Sequence, residues 1–309
     1  MNYLDGSLFP ENQQPLIITA APYAPGWLPS DFPEDIPVTM EDQIQKAVDC
    51  YNAGATVLHL HVRELDGKGS KRLSKFNELI AGVRKAVPEM IIQVGGSISF
   101  APENEGAAAK WLSDDTRHML AELDPVPDQV TVTVNTSQMN VTEHAELADF
   151  KGTSRDFESV ERLIRRGVYK GPLVMNWVAI SGGMDAPSVF NLANIVRAVP
   201  DGAVLTVESS VRNVLPVNMM GIALGLHARC GTEDCLWNQS RTGKMSTVKQ
   251  IEQLVRIASE FGRKVATAQE ARDIQKIGVF YDTVEETLTA NGFGPNRNGG
   301  NQGFLRKAA

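Results

Sequence analysis

The sequence predicts an α/β protein that folds as a single (β/α)8 TIM barrel. Short apolar runs rich in β-branched residues alternate with longer helical patterns, which is typical of repeated strand and helix units. Most of these runs are apolar throughout, as expected for parallel strands covered on both faces. The length of 309 residues suits one such barrel. An open, doubly wound sheet is the alternative that the pattern leaves open.

Eight runs are predicted as strands because each is short, apolar and bounded by turn-forming residues. Since active-site groups of a barrel project from the C-terminal ends of its strands, the ends of these runs are the places to search for function. The predicted strands are residues 16–21, 56–62, 90–94, 129–134, 173–178, 203–207, 225–230 and 264–266.

The segments between the strands carry helical periodicity and helix start signals. Thr39 with Asp42 and Thr247 with Gln250 have the spacing of a capping box, in which a hydroxyl and an acid or amide satisfy the first backbone N–H groups. Each segment is long enough to cross back over a sheet. The predicted helices are residues 40–53, 74–86, 105–123, 157–166, 188–198, 213–224 and 246–261.

Composition excludes several classes of protein. The net charge of -7 comes from interspersed acids and bases, so nucleic acid is not an expected partner. The chain never reaches the ~18 consecutive apolar residues of a membrane span, and its N-terminus lacks the pattern of a signal peptide. The three cysteines lack CxxC spacing. We expect a cytoplasmic protein that does not contact membranes.

One domain is expected over residues 15–290, preceded by an extension over 1–14 and followed by a tail over 291–309. The tail is rich in Gly and Asn, which gives it little reason to order alone, yet it contains the apolar pair Phe304 and Leu305. We therefore expect a symmetric homo-oligomer, a dimer or a tetramer, with the tail on a neighbouring subunit.

Two histidines at the end of the second predicted strand suggest a metal site. In VLHLHVRE, His59 and His61 are two residues apart, so the alternation of a strand sends both side chains to the same side. The alternative is a pair of core histidines that hydrogen-bond to buried partners. Because each would need a partner in an otherwise apolar strand, a shared divalent ion is the favoured interpretation.

A third ligand should come from another strand end, since a zinc site that binds water or substrate usually has three protein ligands. Glu233 is the best candidate, because it follows the strand at 225–230 in HARCGTEDCLWN, close to Arg229 and Asp234. The alternative is a solvated charged turn. The other three histidines are poorer candidates, since they lie on helical or loop stretches or earlier in a strand: His118, His144 and His227.

Polar residues also end the fourth predicted strand. Thr133 and Asn135 in VTVTVNTS project together and could hydrogen-bond a substrate oxygen, or they could simply face water. Glycine-rich stretches in QVGGSISF and AISGGMDAP could let backbone amides approach an anion, but turns use glycine for many reasons.

Together these stretches resemble the β-keto acid cleavage enzymes, the family typified by 3-keto-5-aminohexanoate cleavage enzyme. The resemblance covers nearly the whole chain, and the combination of AGA-x-x-x-HLHVR with a later R-x-x-x-ED is its most specific part. The matching stretches are PLIITAAP, TMEDQIQKAVDCYNAGATVLHLHVRELDGK, the TVN of the fourth strand, GIALGLHARCGTEDCLW and RKVATAQEARDI.

The resemblance implies a zinc-dependent TIM barrel that condenses a β-keto acid with acetyl-CoA, giving acetoacetate and a new acyl-CoA by a retro-Claisen route. It places the metal ligands at His59, His61 and Glu233 and the catalytic pair at Arg229 and Asp234. Thr133 and Asn135 match its substrate contacts. A metal-dependent aldolase or hydrolase on the same barrel, or a non-catalytic metal-binding barrel, remains an alternative.

The chain departs from the family pattern around the substrate. Members that act on amino-substituted keto acids have a sequence similar to ALTGAE after the first strand. The Glu of this sequence can pair with the ammonium group of the substrate. Here AAPYAPGW puts Gly26 near that position, with Trp27 beside it as a candidate substrate contact. After the third strand, Gly95 and Gly96 replace a serine and a threonine, and Ser97, another candidate contact, is displaced. Reaction chemistry is therefore better predicted than substrate identity.

Overall fold

A computed structural model of the chain describes residues 6–24, 26–95, 120, 122–133, 147–152, 157–181 and 185–296. Eight parallel strands pair in chain order, and the eighth pairs with the first, so the sheet is a closed barrel. The strands are β1 (Ile18–Ala20), β2 (Val57–Leu60), β3 (Ile91–Val94), β4 (Gln129–Thr133), β5 (Leu147–Gly152), β6 (Val174–Ala179), β7 (Val204–Ser209) and β8 (His227–Cys230).

Helices follow six of the eight strands directly, and the connections after β3 and β4 lie largely outside the described residues. The predicted α/β class is therefore confirmed. Most of the predicted helix 105–123 falls in the undescribed part of the chain. The described helices are α1 (Met40–Asn52), α2 (Leu73–Ala86), α3 (Phe157–Arg165), α4 (Val189–Ala198), α5 (Val214–Ala223), α6 (Thr247–Phe261), α7 (Ala268–Gln275) and α8 (Val284–Ala290).

One predicted strand is wrong and one strand was missed. Residues 264–266 make only an isolated bridge between Val265 and Leu16, and the chain continues directly into α7. The missing strand is β5, which carries the sequence LADFKG between β4 and β6. Its Asp and Lys interrupt the apolar run that identifies the other strands. The strand predicted at 225–230 is consequently β8.

The helix boundaries follow local capping chemistry. Thr39 Oγ1 accepts a hydrogen bond from the Asp42 backbone N–H, as predicted for the start of α1. The predicted N-cap of α6, Thr247, is one residue late, because Ser246 is the N-cap and Thr247 is the first helical residue. Thr247 Oγ1 instead accepts from the Thr232 backbone N–H, which links α6 to the loop after β8.

The N-terminal ends of the strands are filled with apolar side chains. Ile17, Val57 and Ile91 are fully buried there against Ala266 and α7, and the first residues of β6 and β7 pack on the same helix. Larger apolar clusters lie between the strands and the outer helices. With one end of the barrel closed by α7, polar side chains inside the barrel gather towards the C-terminal ends of the strands.

The first residues of the tail pack on their own chain. Asn291 is fully buried and its Oδ1 accepts from the Leu173 backbone N–H. The Arg165 guanidinium of α3 donates to the carbonyl oxygens of Gly294 and Pro295. Phe304 and Leu305 lie outside the described residues, so the expected contact with a neighbouring subunit stays a prediction. Within the described ranges, no helix has both the length and the apolar character that a membrane span requires.

Candidate active site

Three predicted ligands come together at the C-terminal end of the barrel. His59 and His61 project from β2 into the barrel, and Glu233 reaches them from the loop after β8. His59 Nε2 lies 3.6 Å from Glu233 Oε1, and His61 Nε2 lies 3.5 Å from Glu233 Oε2. One ligand atom from each residue falls within 4.8 Å of the others, so the three side chains can share one ion.

The spacing of the cluster fits one divalent ion. Metal–ligand bonds of about 2.1 Å at tetrahedral angles place neighbouring ligand atoms about 3.4 Å apart, close to the distance from each histidine Nε2 to one of the two Glu233 oxygens. Glu233 Oε2 is buried and has no hydrogen-bond partner among the described residues. A buried carboxylate oxygen without a partner is costly, so the residues present fit a bound divalent cation.

Gly95 makes room for the two imidazole rings. It directly follows β3, and a Cβ atom built there would lie 2.9 Å from His61 Cε1 and 3.4 Å from His59 Cε1. Any larger residue would push the histidines out of their present positions. Glycine at position 95 is therefore a steric requirement of the site as this chain builds it.

A tight turn after β8 delivers the acidic residues. Gly231 has φ 150°, and a Cβ atom there would overlap the Ala21 carbonyl oxygen. That close approach lets the Glu233 backbone N–H donate to the Ala21 oxygen at 3.1 Å, which ties the turn to β1. The hydroxyl of Thr232 donates to the Pro22 carbonyl oxygen. The adjacent residues Glu233 and Asp234 are thereby fixed relative to the barrel.

Arg229 organises the carboxylates of the site. It projects from β8 with 1% exposure, and its guanidinium holds Asp234 in a two-point contact, Nε to Oδ2 at 3.0 Å and Nη2 to Oδ1 at 2.8 Å. Nη2 also donates to Glu233 Oε1 at 2.6 Å. On the other side, Nη1 lies 3.5 Å from Glu208 Oε2, and the Asn176 amide donates to the same oxygen at 2.7 Å.

The two neighbouring acids have opposite pKa shifts. Burial raises the pKa of the Glu233 carboxyl, but Arg229 and the two histidines lower it by more, so that pKa lies well below its usual range. Burial raises the pKa of the Asp234 carboxyl to about 7, although Arg229 acts in the opposite direction. The carboxylate form is thus favoured at Glu233, while the raised pKa of Asp234 lets that residue exchange a proton near neutral pH.

The loop after β1 places an aromatic side chain beside the site. Trp27 Nε1 donates to the Glu233 carbonyl oxygen at 3.2 Å. The buried guanidinium of Arg63, at the end of the HLHVR motif, donates to the carbonyl oxygens of Trp27, Ala24 and Gly67. Gly26 is exposed, with open space where its Cβ would stand.

A model of the β-keto acid cleavage enzyme family matches residues 15–277 of this sequence. The chain belongs to the β-keto acid cleavage enzyme family. The family match confirms the resemblance carried by the HLHVR and R-x-x-x-ED motifs, together with the expected class of enzyme.

Curated relatives extend over most of the chain. The 3-keto-5-aminohexanoate cleavage enzyme of Acetoanaerobium sticklandii is 30% identical over 272 residues, covering 84% of this chain and 97% of the relative. The 3-oxoadipate:acetyl-CoA acetyltransferase of Cupriavidus necator is 29% identical, covering 84% of this chain and 94% of the relative. The solved ternary complex of ObcA with C4-CoA adduct and oxalate has TM-score 0.59 and 16% identity, covers 78% of this chain and 67% of that one, and supports the fold alone.

The structure brings most of the predicted site residues together. The ligand candidates His59, His61 and Glu233 and the pair Arg229 and Asp234 form one continuous cluster. His227 lies apart from it, as expected, because its Nδ1 accepts from the Ile17 backbone N–H at 3.1 Å. Three predicted substrate contacts fall where the structure describes no side chain, and their roles stay predictions: Ser97, Thr133 and Asn135. His118 and His144, the poorer ligand candidates, also lie outside the described residues.

Four residues around the site were missed by sequence reasoning. Each is polar and nearly fully buried in or beside a strand, which is itself a signal, because buried polar groups need partners. Gln93 Oε1 contacts His59 Nδ1 at 2.8 Å, and Glu208 lies opposite Arg229. In the sequence they stand within the apolar runs IIQV and VLTVES and could have been noticed there. The missed residues are Arg63, Gln93, Asn176 and Glu208.

Substituting Gly231 should disturb the whole acidic turn. In Gly231→Ala the new methyl group meets the Ala21 carbonyl oxygen at a φ that alanine rarely adopts, so we expect a loss of about 2 kcal/mol in the free energy of unfolding. Urea titration measures it. Gly243→Ala is the control, because its Cβ would meet only the Asn238 side chain at 3.8 Å. Equal stability of both variants would show that the turn tolerates a side chain.

Proposed function

We propose that this protein is a metal-dependent β-keto acid cleavage enzyme that uses acetyl-CoA as its second substrate and releases acetoacetate and a new acyl-CoA. The observation that carries the proposal is the contact between the Arg229–Asp234 pair and Glu233, which joins a proton-exchanging acid to a His, His, Glu cluster at the C-terminal mouth of the barrel. The acetyl-CoA requirement is supported by the name of the Cupriavidus necator relative.

His59, His61 and Glu233 would hold the metal ion, and we propose zinc because two imidazoles and one carboxylate are a common catalytic zinc set. Bound there, the ion supplies Lewis-acid stabilisation of negative charge on the oxygens of a keto acid. Arg229 favours the ionised form of Glu233 by donating to its Oε1, while Oε2 accepts no hydrogen bond from the described part of the chain and faces His61.

Asp234 is the proposed general base. Its carboxylate would remove a proton from C2 of the keto acid, a carbon made acidic by the carbonyl groups on both sides. Arg229 fixes both oxygens of this carboxylate, which sets its direction before substrate arrives. A pKa near neutrality suits a residue that must take up the proton and later return it.

The carbon chemistry then needs no protein nucleophile. The C2 enolate attacks the thioester carbonyl carbon of acetyl-CoA, a C–C bond forms, and CoA leaves as the thiolate. The thiolate attacks C3 of the original keto acid, a C–S bond forms, and the C2–C3 bond breaks with its electrons left on C2. Protonation of C2 by Asp234 gives acetoacetate, while the remainder of the keto acid leaves as an acyl-CoA.

The reaction is tested by following the acetyl group. With a β-keto acid and acetyl-CoA labelled with carbon-13 in its acetyl group, we expect the label in the C3 and C4 positions of acetoacetate and none in the new acyl-CoA, as read by mass spectrometry. Without acetyl-CoA no keto acid should be consumed. Consumption in its absence would favour an aldolase or a hydrolase on the same barrel and would reject this proposal.

The metal site is tested by elemental analysis. We expect about one divalent ion per chain in the wild-type protein and its loss in His59→Ala and His61→Ala, because two ligands are too few to retain it. His227→Asn is the matched control, since the asparagine oxygen can still accept from Ile17 and the residue lies outside the cluster. Undiminished metal in folded His59→Ala protein would rule out this ligand set.

Asp234 should control the pH dependence of turnover. Because only the carboxylate is a base, kcat/KM should rise with pH through an apparent pKa of about 7, or below it once a cation adds its positive charge. In Asp234→Asn we expect turnover to fall by about 10² to 10⁴ with metal retained, and this acidic limb to disappear. The exposed variant Asp66→Asn is the control. An unchanged profile in Asp234→Asn would move the proton transfer elsewhere.

We propose that the distal group of the substrate lies against the loop after β1, which carries glycine rather than an acid at position 26. Gly26 stands near the position at which the resemblance places a glutamate in members that act on amino-substituted keto acids. Asp31, in the same loop, already accepts a hydrogen bond at its Oδ2 from the Leu28 backbone N–H at 2.7 Å. Glu34 is exposed. A primary ammonium buried beside Trp27 would lack a counter-charge. We therefore propose a distal group that is neutral, apolar or a diffuse cation that can lie against the indole.

Comparing two substrates tests this preference. We expect a higher kcat/KM for 3-oxohexanoate than for 5-amino-3-oxohexanoate, because the amine loses hydration without gaining an ion pair. Gly26→Glu should reverse the order, since the open space at Gly26 can take a side chain. Gly26→Gln, which adds the same length without charge, is the control. A wild-type preference for the amine would contradict the proposed substrate class.

We also propose that residues 15–290 form the complete (β/α)8 repeat, between the extension 1–14 and the tail 291–309, and that the protein is a cytoplasmic homo-oligomer. The eight-stranded ring and the helices that follow six of its strands support the repeat. The apolar pair Phe304 and Leu305 supports assembly, which light scattering at micromolar concentration tests.

A further inference from the structure

A row of three buried glutamines crosses the barrel interior behind the candidate metal ligands. Register places His59, Gln93 and Gln129 side by side on β2, β3 and β4. Gln275, the last residue of α7, joins them from the closed end of the barrel. The three glutamines have exposures of 4%, 0% and 2%, so they have little access to solvent.

The amides in this row all point the same way. Gln93 Nε2 donates to Gln129 Oε1 at 2.8 Å, and Gln129 Nε2 donates to Gln275 Oε1 at 2.7 Å. Gln93 therefore presents its carbonyl oxygen, Oε1, to His59 Nδ1 at 2.8 Å. Since a carbonyl oxygen can only accept, the hydrogen of this contact belongs to the imidazole.

The direction of the row decides which nitrogen of His59 can bind a metal. With the proton on Nδ1, the lone pair is on Nε2, the atom that faces Glu233. If Gln93 turned its amide over, its Nε2 would donate to Nδ1, and the imidazole proton would move to Nε2. Gln93 cannot turn alone, because its Oε1 would then face Gln129 Oε1 and the two oxygens would repel each other. Gln129 is held in its orientation by its hydrogen bond to Gln275.

We propose that Gln93, Gln129 and Gln275 act as a row of positioning residues that fixes His59 with its proton on Nδ1 and the lone pair of its Nε2 on the side of Glu233. This inference rests on the metal site of the proposed function, but the tautomer itself exists without metal. Gln275 ends the row on α7, where its neighbours Ile274 and Ile277 pack against the first residues of the strands. The helix that closes the barrel thereby takes part in metal binding at the opposite end.

The tautomer can be read directly by nitrogen-15 NMR of the imidazoles, in the full chain stripped of metal by a chelator and kept at a pH where these rings are neutral. We expect His59 to carry its proton on Nδ1. His227 is an internal standard of the opposite tautomer, since its Nδ1 accepts a backbone hydrogen bond. His59 with its proton on Nε2 would overturn the inference, and this wild-type measurement does not depend on any variant folding.

Variants at Gln275 then test whether the row transmits direction. The side chains of Glu, Met and Lys have similar reach, but Glu only accepts hydrogen bonds, Met forms none that are strong, and Lys only donates. With Zn²⁺ as the probe and a competing chelator, we expect Gln275→Glu to keep wild-type affinity, Gln275→Met to lose some, and Gln275→Lys to lose most. Gln93→Met should weaken Zn²⁺ binding by about 10 to 100-fold.

If Gln275 had only a structural role, the Zn²⁺ affinities of its variants would follow another pattern. The two charged variants would then weaken Zn²⁺ binding equally, because burying either charge disturbs the barrel to a similar degree, and that result would overturn the inference. Thr206→Val, another buried polar residue of a strand, is the control and should leave Zn²⁺ affinity unchanged. If wild-type protein binds no metal while His59 still carries its proton on Nδ1, the proposed function fails and the assigned tautomer stands.

Discussion

The site depends on the charge balance around one buried arginine. Arg229 alone faces the carboxylates of Glu208, Glu233 and Asp234 inside the barrel, so within the described cluster acidic groups outnumber their cation. An excess of buried negative charge is unfavourable unless a proton or a cation relieves it. This site can relieve its excess negative charge in two ways, by a divalent ion next to Glu233 or by a proton on Asp234. The proposed metal binding and the proposed proton exchange would therefore arise from the same electrostatic constraint.

The apolar residues that close the barrel and the ionisable residues of the candidate site lie at opposite ends of its axis. Fully buried aliphatic residues of the strand starts and α7 close one end, and the ionisable groups gather at the other. Between them lies the hydrogen-bonded row of glutamines, whose amides are satisfied by one another. A polar row inside a protein is tolerated only when its members are paired, and pairing gives them a defined orientation. Interior packing thus contributes to ligand geometry as well as to folding.

Sequence reasoning found the ligand pair because the H-x-H spacing and strand alternation leave one possible geometry for neighbouring side chains. It selected Glu233 because charged residues directly after an apolar strand mark the mouth of a barrel, and the family resemblance added Arg229 and Asp234 as the catalytic pair. It missed β5, whose Asp and Lys break the apolar run, and took 264–266 for a strand although it forms only a bridge. The glutamine row was also beyond reach, since Gln275 meets Gln129 only through the tertiary fold.

Arg63 holds the β1 loop through the main-chain oxygen atoms of Ala24 and Trp27, and its guanidinium also lies over the Tyr23 ring, 5.2 Å from the ring centre. The two hydrogen bonds do not depend on which side chains the residues beside Gly26 carry. The positions around Gly26 can accordingly be exchanged while the loop keeps its attachment to the end of β2, next to the histidines. A fold arranged in this way allows substrate preference to diversify by point replacement, without rebuilding the catalytic groups, and it marks this short loop as the natural place to redesign the enzyme for new keto acids.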